Sequence, residues 1–432
     1  MIKARRTTKT GVVFLLTVIT TTTLLAIYNQ AVPPSHQVIS IDEDDSPNFD
    51  YGHYDAANWR NLSKDKIQSL SKLGRILYLD EELPELIQTA KQFKILVWKY
   101  GSTINDRHIK RYSSENHDPF EYCSVKNCIL TYDGDQLANA DIVLIHLHRT
   151  TGTKDLPPND KRSPNQIWAF MTDESPFHTF LHTKENKFIE YNGIFNWSMT
   201  YRMDSDIPVP YGRTILRPYE DPSKEFDLYK WFLSKRHDVL VAIMGSNCGS
   251  KNHRWEYVKQ LQNHMSVDVY GACGTLKCMG HFRMDCPDIN RYMFYLSFEN
   301  SNCDEYVTEK LWWNAYAKNA IPIVMGAPKD NYTSLLPPNS FINVDDFATP
   351  RDLATYLNYL FNTPSEFRRF FRWRKHFQVL NEHGYFQSLS YHYCRVCEAM
   401  NYNKKQPKVY KDLQKFWSVD SNCYPAWDKI YD

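Results

Sequence analysis

Between Phe298 and Lys310 the chain gathers acids, amides and one lysine behind an apolar run. It reads Phe298-Glu299-Asn300-Ser301, then Cys303-Asp304-Glu305-Tyr306-Val307-Thr308-Glu309-Lys310. A strand feeding a polar loop and then a helix is where α/β folds receive phosphate. Thr308 can cap a helix continuing through Leu311-Trp312-Trp313, with Glu309 and Lys310 in its first turn. A cation there opposes the helix dipole unless an anion sits beside it. Lys310 therefore hints at a phosphate ligand, although a surface helix start with ordinary charges is the plainer reading. A second strand-loop-helix candidate is Gly245-Ser246-Asn247-Cys248-Gly249-Ser250, leading to His253-Arg254. Neither segment matches G-x-G-x-x-G or G-x-x-x-x-G-K-[ST], so the dinucleotide and ATP-loop motifs are excluded.

Other residue types point to other chemistries. Glu174, beside Asp173 and before Ser175-Pro176, is on its own a loop acid. Asp204-Ser205-Asp206 is a D-x-D, which could offer hard oxygen ligands to a divalent metal. His146 and His148 alternate along an apolar run and face the same way on a strand, as zinc ligands might. Cys394-x-x-Cys397 is the sharpest zinc pattern, but no second pair stands at finger spacing. No metal site is expected. With ten cysteines and a secretory entry, Cys394 and Cys397 read better as oxidised, to each other or to cysteines of the N-terminal half.

These residues need a scaffold. The 432 residues carry 51 Lys+Arg against 50 Asp+Glu, without a block of five like charges, which argues against a nucleic-acid partner. Short apolar runs at Lys94–Trp98, Asp141–Leu147 and Gln166–Met171 predict strands, and Val239–Met244, Val267–Tyr270, Tyr292–Phe298, Ile321–Met325 and Phe341–Val344 predict more. Helices are expected at His253–His264, Thr308–Lys318 and Arg351–Phe361, the last with Leu353, Tyr356, Leu357, Leu360 and Phe361 on one face. Strands alternating with helices mean parallel sheets, here in two α/β lobes dividing between Ile215 and His237.

The N-terminus carries an address. Lys3, Arg5, Arg6 and Lys9 precede the uncharged stretch Gly11–Tyr28, close to the roughly 20 residues a spanning helix needs. Basic flanks stay cytoplasmic, so the bulk of the chain is expected in the lumen. Sequons at Asn61, Asn196 and Asn331 agree with a glycosylated lumenal domain.

FENS…DEYVTEKLWWNA…IPIVMGAPKDNY…PNSFINVDDF resembles the signature of the α1,3-fucosyltransferases. The resemblance runs through Glu174-Ser175-Pro176, Thr200–Asp206, Val209–Gly212, Ser246-Asn247-Cys248, His253-Arg254, Val267–Gly271, Cys394–Cys397 and Phe416-Trp417, covering roughly residues 94–418. It implies a two-lobed GT-B α/β architecture behind a signal anchor. The divisions would be a cytoplasmic tail (1–10), anchor (11–28), stem (29–88), acceptor lobe (89–225), GDP-fucose lobe (226–395) and C-terminal tail (396–432).

The implied reaction is inverting transfer of L-fucose from GDP-β-L-fucose to O3 of N-acetylglucosamine on glycoprotein glycans. Glu174 matches the family's general base. Arg254 and Lys310 match residues holding the diphosphate, and Asn300, Tyr306 and Glu309 match donor contacts, Glu309 also facing the fucosyl centre. Ser246 and Asn247 are second-rank phosphate contacts; Tyr201 and Arg202 resemble donor-side cleft residues. His146 is an acceptor-side candidate, though this chain has His-Leu-His-Arg where the family often has His-His-Arg. Asp204-Ser205-Asp206 is then read as structural. No cofactor is required on this reading, with Mn2+ or Mg2+ allowed as a stimulant. The partners are the donor, the glycan, the Golgi membrane and, allowed but not required, a second copy. Arg395-Val396 within the C-x-x-C resembles core-modifying members, so the N-glycan core is favoured over outer N-acetyllactosamine units. The rivals are the same fold with another nucleotide sugar, and a lumenal glycan-binding protein without catalysis.

Overall fold

The computed structural model describes residues 59–84, 91–110, 117–181, 188–217, 226–280, 283–404 and 407–425. All of these fall within one unit, Gly52–Asp432. The expected membrane anchor, Gly11–Tyr28, and the stem before Trp59 lie outside the described residues. Among the described residues no helix is long and apolar enough to cross a membrane.

Two parallel sheets carry the architecture. The first is built from β1 (Phe93–Trp98), β2 (Cys128–Thr131), β3 (Ile142–His146), β4 (Ile167–Met171), β5 (Trp197–Thr200) and β6 (Ile207–Pro208), in the order β2-β1-β3-β4-β5-β6. β7 (Gly212–Leu216) leaves this sheet. The second comprises β8 (Val241–Met244), β9 (Val267–Tyr270), β10 (Phe294–Phe298), β11 (Ile321–Met325) and β12 (Ile342–Asn343), in the order β12-β11-β10-β8-β9. All described pairings within both sheets are parallel. Their central strands read as near-continuous apolar runs because helices and loops cover both faces; β10 and β11 are buried at every position. β13 (Phe377–Asn381) pairs antiparallel with β7 as a separate ribbon.

In each sheet the strand order reverses next to its first strand, between β1 and β3 and between β8 and β10. Such switch points open crevices at the carboxyl ends of strands. The loops expected to do chemistry emerge there, Gly245–Asn247 after β8 and Glu299-Asn300 after β10. The helix Pro350–Asn362 bears out the amphipathic reading, burying Leu353, Leu357 and Leu360 behind a capping box of Thr349 and Asp352.

Two expected boundaries are corrected. Residues 59–84, assigned to the stem, are part of the fold: the helix Lys72–Leu79 buries Leu73, Leu77 and Tyr78, and Trp59 and Arg60 are buried beside it. Arg60 donates to the carbonyls of Tyr78, Thr214 and Ser334, so this segment is tied to β7 and to the second half of the chain. Neither is the C-terminal stretch a tail. The helix His392–Tyr402 is buried on almost every side, and disulfides Cys123–Cys394 and Cys128–Cys397 fasten it to the first sheet. Arg395 on that helix closes a buried network, pairing with Glu398 (2.6 Å) and Glu382 (3.0 Å), while Glu382 also takes Arg213 (2.8 Å). Helix Thr308–Lys318 is shorter than expected, Glu309–Trp312 followed by a separate turn at Tyr316–Lys318.

Candidate active site

A cavity of about 860 Å3 opens between the strand-end loops of the two sheets. Its wall from the first sheet carries Glu174, His148 and His178; its wall from the second carries Ser246, Asn247, Lys251, Arg254, Asn300, Tyr306, Glu309 and Lys310. Eight expected site residues, far apart in sequence, therefore face one space.

Glu174 stands three residues beyond β4, half-buried. Tyr306 reaches across from the other wall, and its hydroxyl donates to Glu174 Oε2 at 3.0 Å. Burial pushes the Tyr306 phenol far above its ordinary value, so it stays a donor. This contact fixes the carboxylate's direction while leaving its second oxygen for a ligand.

Lys310 is organised by Glu299, a residue the sequence reading passed over. The Glu299 carboxylate is buried (1% exposed) and accepts the Thr308 N–H (2.7 Å), the Thr308 hydroxyl (2.9 Å) and Lys310 Nζ (2.9 Å). Glu309 lies 3.3 Å from the same ammonium. Burial alone lowers the lysine's affinity for its proton, but Glu299 and Glu309 outweigh that and keep it charged. Burial pushes the Glu309 carboxyl up, yet Lys310 draws it below its ordinary value, so both sides of the pair are ionised. The signal for Glu299 was present: an acid at a strand end, directly before Asn300.

Arg254 opens the helix Arg254–Gln262 and is buried, its guanidinium donating to the carbonyls of Phe298 and Asn247 at 2.8 Å each. It locks both phosphate-candidate loops to each other. Cys248–Cys273 ties the first of these to the loop after β9. There Gly271 has φ +89°, and a Cβ would meet the Gly245 carbonyl at 2.6 Å, so no other residue fits.

Three expected residues do not line the cavity. Tyr201 is buried behind Tyr306, ring centroids 5.1 Å apart, and packs against Trp417. Arg202 turns inward because Asp204 takes it bidentately (2.9 and 2.6 Å) and the Phe416 carbonyl takes its other amine. His146 is sealed beneath the sheet edge, and burial drops its ring to about 3; His148, two residues on, reaches the cavity instead. The D-x-D is spent on structure: Asp204 holds Arg202, and Asp206 accepts from Ser198, Tyr410 and Lys408. Cys394 and Cys397 are both in disulfides, bonded to N-terminal cysteines and not to each other. Of the sequons, Asn61 is exposed and Asn331 partly buried, while the Asn196 amide is consumed internally, donating to Lys408 and accepting from Arg162 and Trp168.

Sequence reading also missed the apolar rim. Phe177, Phe180, Leu181 and Phe188 line the Glu174 side, with Phe177 and Leu181 exposed. Apolar faces beside hydrogen-bonding groups suit a sugar ring, and the aromatic spacing after Pro176 was the available signal.

Behind Glu174 lies a buried group that no local spacing announces. Asp173 is held by Arg107 (3.1 Å) and His392 (3.1 Å), with His383 at 3.4 Å. Burial would raise the Asp173 carboxyl, but His383 and Arg107 pull it well below its ordinary value.

The chain is also similar in sequence to known proteins. Residues 234–417 match the model of glycosyltransferase family 10 (fucosyltransferase) C-term, and residues 90–212 match fucosyltransferase, N-terminal. A glycoprotein 3-alpha-L-fucosyltransferase A of Drosophila melanogaster is 34% identical over 81% of this chain and 65% of its own. An alpha-(1,3)-fucosyltransferase 7 of Rattus norvegicus is 34% identical over 75% of this chain and 80% of its own. A solved alpha1,3-fucosyltransferase with GDP-fucose aligns at 15% identity and TM-score 0.44, over 78% of this chain and 99% of that one.

Proposed function

This chain belongs to the family 10 glycosyltransferases, the fucosyltransferases, and from that premise we propose that it transfers L-fucose from GDP-β-L-fucose to O3 of N-acetylglucosamine, with inversion. The observation that carries the reading is one cavity with a carboxylate on one wall and cations on the other. Glu174, oriented by Tyr306, takes the proton of the acceptor hydroxyl as that oxygen bonds to the anomeric carbon. The bond from that carbon to the β-phosphate breaks, and GDP leaves with the electron pair. Lys310 and Arg254 offset the charge that develops on it. Ser246, Asn247 and Asn300 supply polar contacts to the phosphates, and Glu309 faces the fucosyl centre. With this charge relief built into the chain, the proposed transfer requires no metal, and Mn2+ or Mg2+ is allowed only as a stimulant.

The acceptor we propose is the N-glycan core of glycoproteins. Support comes from the name of the fly relative, which specifies a glycoprotein substrate, and from the Arg395-Val396 pair. Arg395 itself is locked between Glu382 and Glu398 and does not line the cavity, so it marks lineage and touches no sugar. Type II membrane insertion is supported by the basic N-terminus and the uncharged stretch Gly11–Tyr28, and Golgi residence by the family resemblance alone. The test is mass spectrometry of products after incubation with GDP-fucose and two acceptors, a core glycopeptide and an N-acetyllactosamine oligosaccharide. Fucose on the innermost N-acetylglucosamine supports the proposal. Transfer to lactosamine alone overturns the acceptor, and donor binding without product overturns the enzyme.

A further inference from the structure

The buried group behind Glu174 has no part in the transfer chemistry, and its composition is that of a metal centre. One ring nitrogen of His108, one of His392 and one carboxylate oxygen of Asp173 lie within 4.8 Å of one another. His392 Nε2 is 3.1 Å from Asp173 Oδ1, and His383 Nε2 is 3.4 Å from the same oxygen. Ligands about 2.0–2.1 Å from a tetrahedral ion stand roughly 3.3 Å apart along each edge. Both separations match that edge.

The rings of His108 and His392 stack, centroids 3.8 Å apart, and share one polar anchor. His108 Nδ1 and His392 Nδ1 both meet the Ser390 hydroxyl, at 2.8 and 3.2 Å. A hydroxyl oxygen that accepts both ring N–H groups leaves each Nε2 with its lone pair, the tautomer a metal needs. His383 is fully buried, and neither of its ring nitrogens has a hydrogen-bond partner among the described residues. Arg107 Nη1 occupies the other Asp173 oxygen, Oδ2, at 3.1 Å, so Oδ1 is the oxygen left facing the imidazoles. The guanidinium disfavours a cation, and the carboxylates of Asp173 and the adjacent Glu174 offset it.

We propose that Asp173, His108 and His392, with His383 beside them, form a binding site for a zinc-class divalent ion. Two imidazoles and one carboxylate suit zinc, cobalt or nickel; magnesium and calcium prefer all-oxygen shells. The ion ties the segment 383–392 to the strand end that carries Glu174, and it sits outside the diphosphate pocket.

The alternative is a metal-free chain in which Ser390 donates to His392 Nδ1 and His392 Nε2–H donates to Asp173. Cobalt binding separates the two. The chain is purified without a polyhistidine tag, stripped with chelator and titrated with Co2+, following the visible absorption of tetrahedral cobalt. The site predicts one equivalent bound, displaced by Zn2+, and loss of the band in His108→Ala and in His392→Gln. GDP titration of both variants checks that they remain folded. Wild-type protein that takes up less than about a tenth of an equivalent at micromolar Co2+ overturns the site. So do variants that bind GDP and keep the full cobalt spectrum.

Discussion

Replacing Lys310 by alanine removes two things at once, a cation facing the cavity and the counter-charge of a buried carboxylate. Glu299 is 1% exposed, and after the change only the Thr308 N–H and hydroxyl remain as its donors. Removing one member of a buried ion pair costs about 3–5 kcal/mol. Losing a charge-assisted contact to phosphate costs roughly 1.5–3 kcal/mol, a ten- to hundredfold rise in the GDP dissociation constant. The second change, Glu299→Gln, separates these effects because it removes the stranded charge. In the double variant, stability should return to within about 1–2 kcal/mol of wild type, while GDP affinity stays low. Burial already pushes the Glu299 carboxyl up against the pull of Lys310. The single variant's deficit should therefore shrink as pH falls, because a buried carboxyl without its cation takes up a proton more readily. Urea unfolding and calorimetric GDP titration on wild type, single and double variants give both quantities. Recovery of GDP affinity in the double variant would make Lys310 a structural residue only. A Lys310→Ala protein with the wild-type urea midpoint would refute the pairing argument.

Three further outcomes are expected. Glu174→Gln keeps the shape of the side chain but cannot take a proton, so turnover should fall 10²–10⁴-fold with GDP affinity unchanged; more than about a tenth of wild-type turnover sinks the assignment. Burial raises the Glu382 carboxyl, but Arg213 and Arg395 outweigh it and hold it down from 4.5 to about 2. A depressed carboxyl stabilises the fold above its unfolded value, so about 3 kcal/mol should be lost as pH falls from about 4.5 to 2. Urea midpoints at pH 7 and pH 3, where about 2 kcal/mol of that share is already gone, should show this part of the acid loss missing in Glu382→Gln; an equal loss in both proteins contradicts it. Finally, glycopeptide mapping should find Asn61 occupied and Asn196 bare, since a glycan on Asn196 would break its bond to Lys408; a glycan there refutes the claim.

The apolar runs were enough to locate β1, β3, β4 and β8 to β12, because buried strands are written as short hydrophobic stretches. β5 to β7 escaped notice: they are short, and Pro208 and Gly212 interrupt the pattern. The cavity residues were legible through long motifs whose polar members sit at strand ends. Where the motif reading failed, a neighbour had claimed the side chain, as Asp204 claims Arg202. The cluster of His108, Asp173, His383 and His392 was beyond reach, since its members meet only after the last of the chain folds back.

That return of the chain governs how the protein can be made. Cys123 waits 271 residues for Cys394, and Cys128 waits 269 for Cys397. Vectorial synthesis therefore delivers the first sheet long before the helix that covers it, and the sheet must persist uncovered until nearly the whole polypeptide has been made. A stop codon anywhere before the helix His392–Tyr402 does not trim an appendage. It leaves the first sheet open along the side where the chain would have closed, with Cys123 and Cys128 deprived of their partners, an aggregation-prone species.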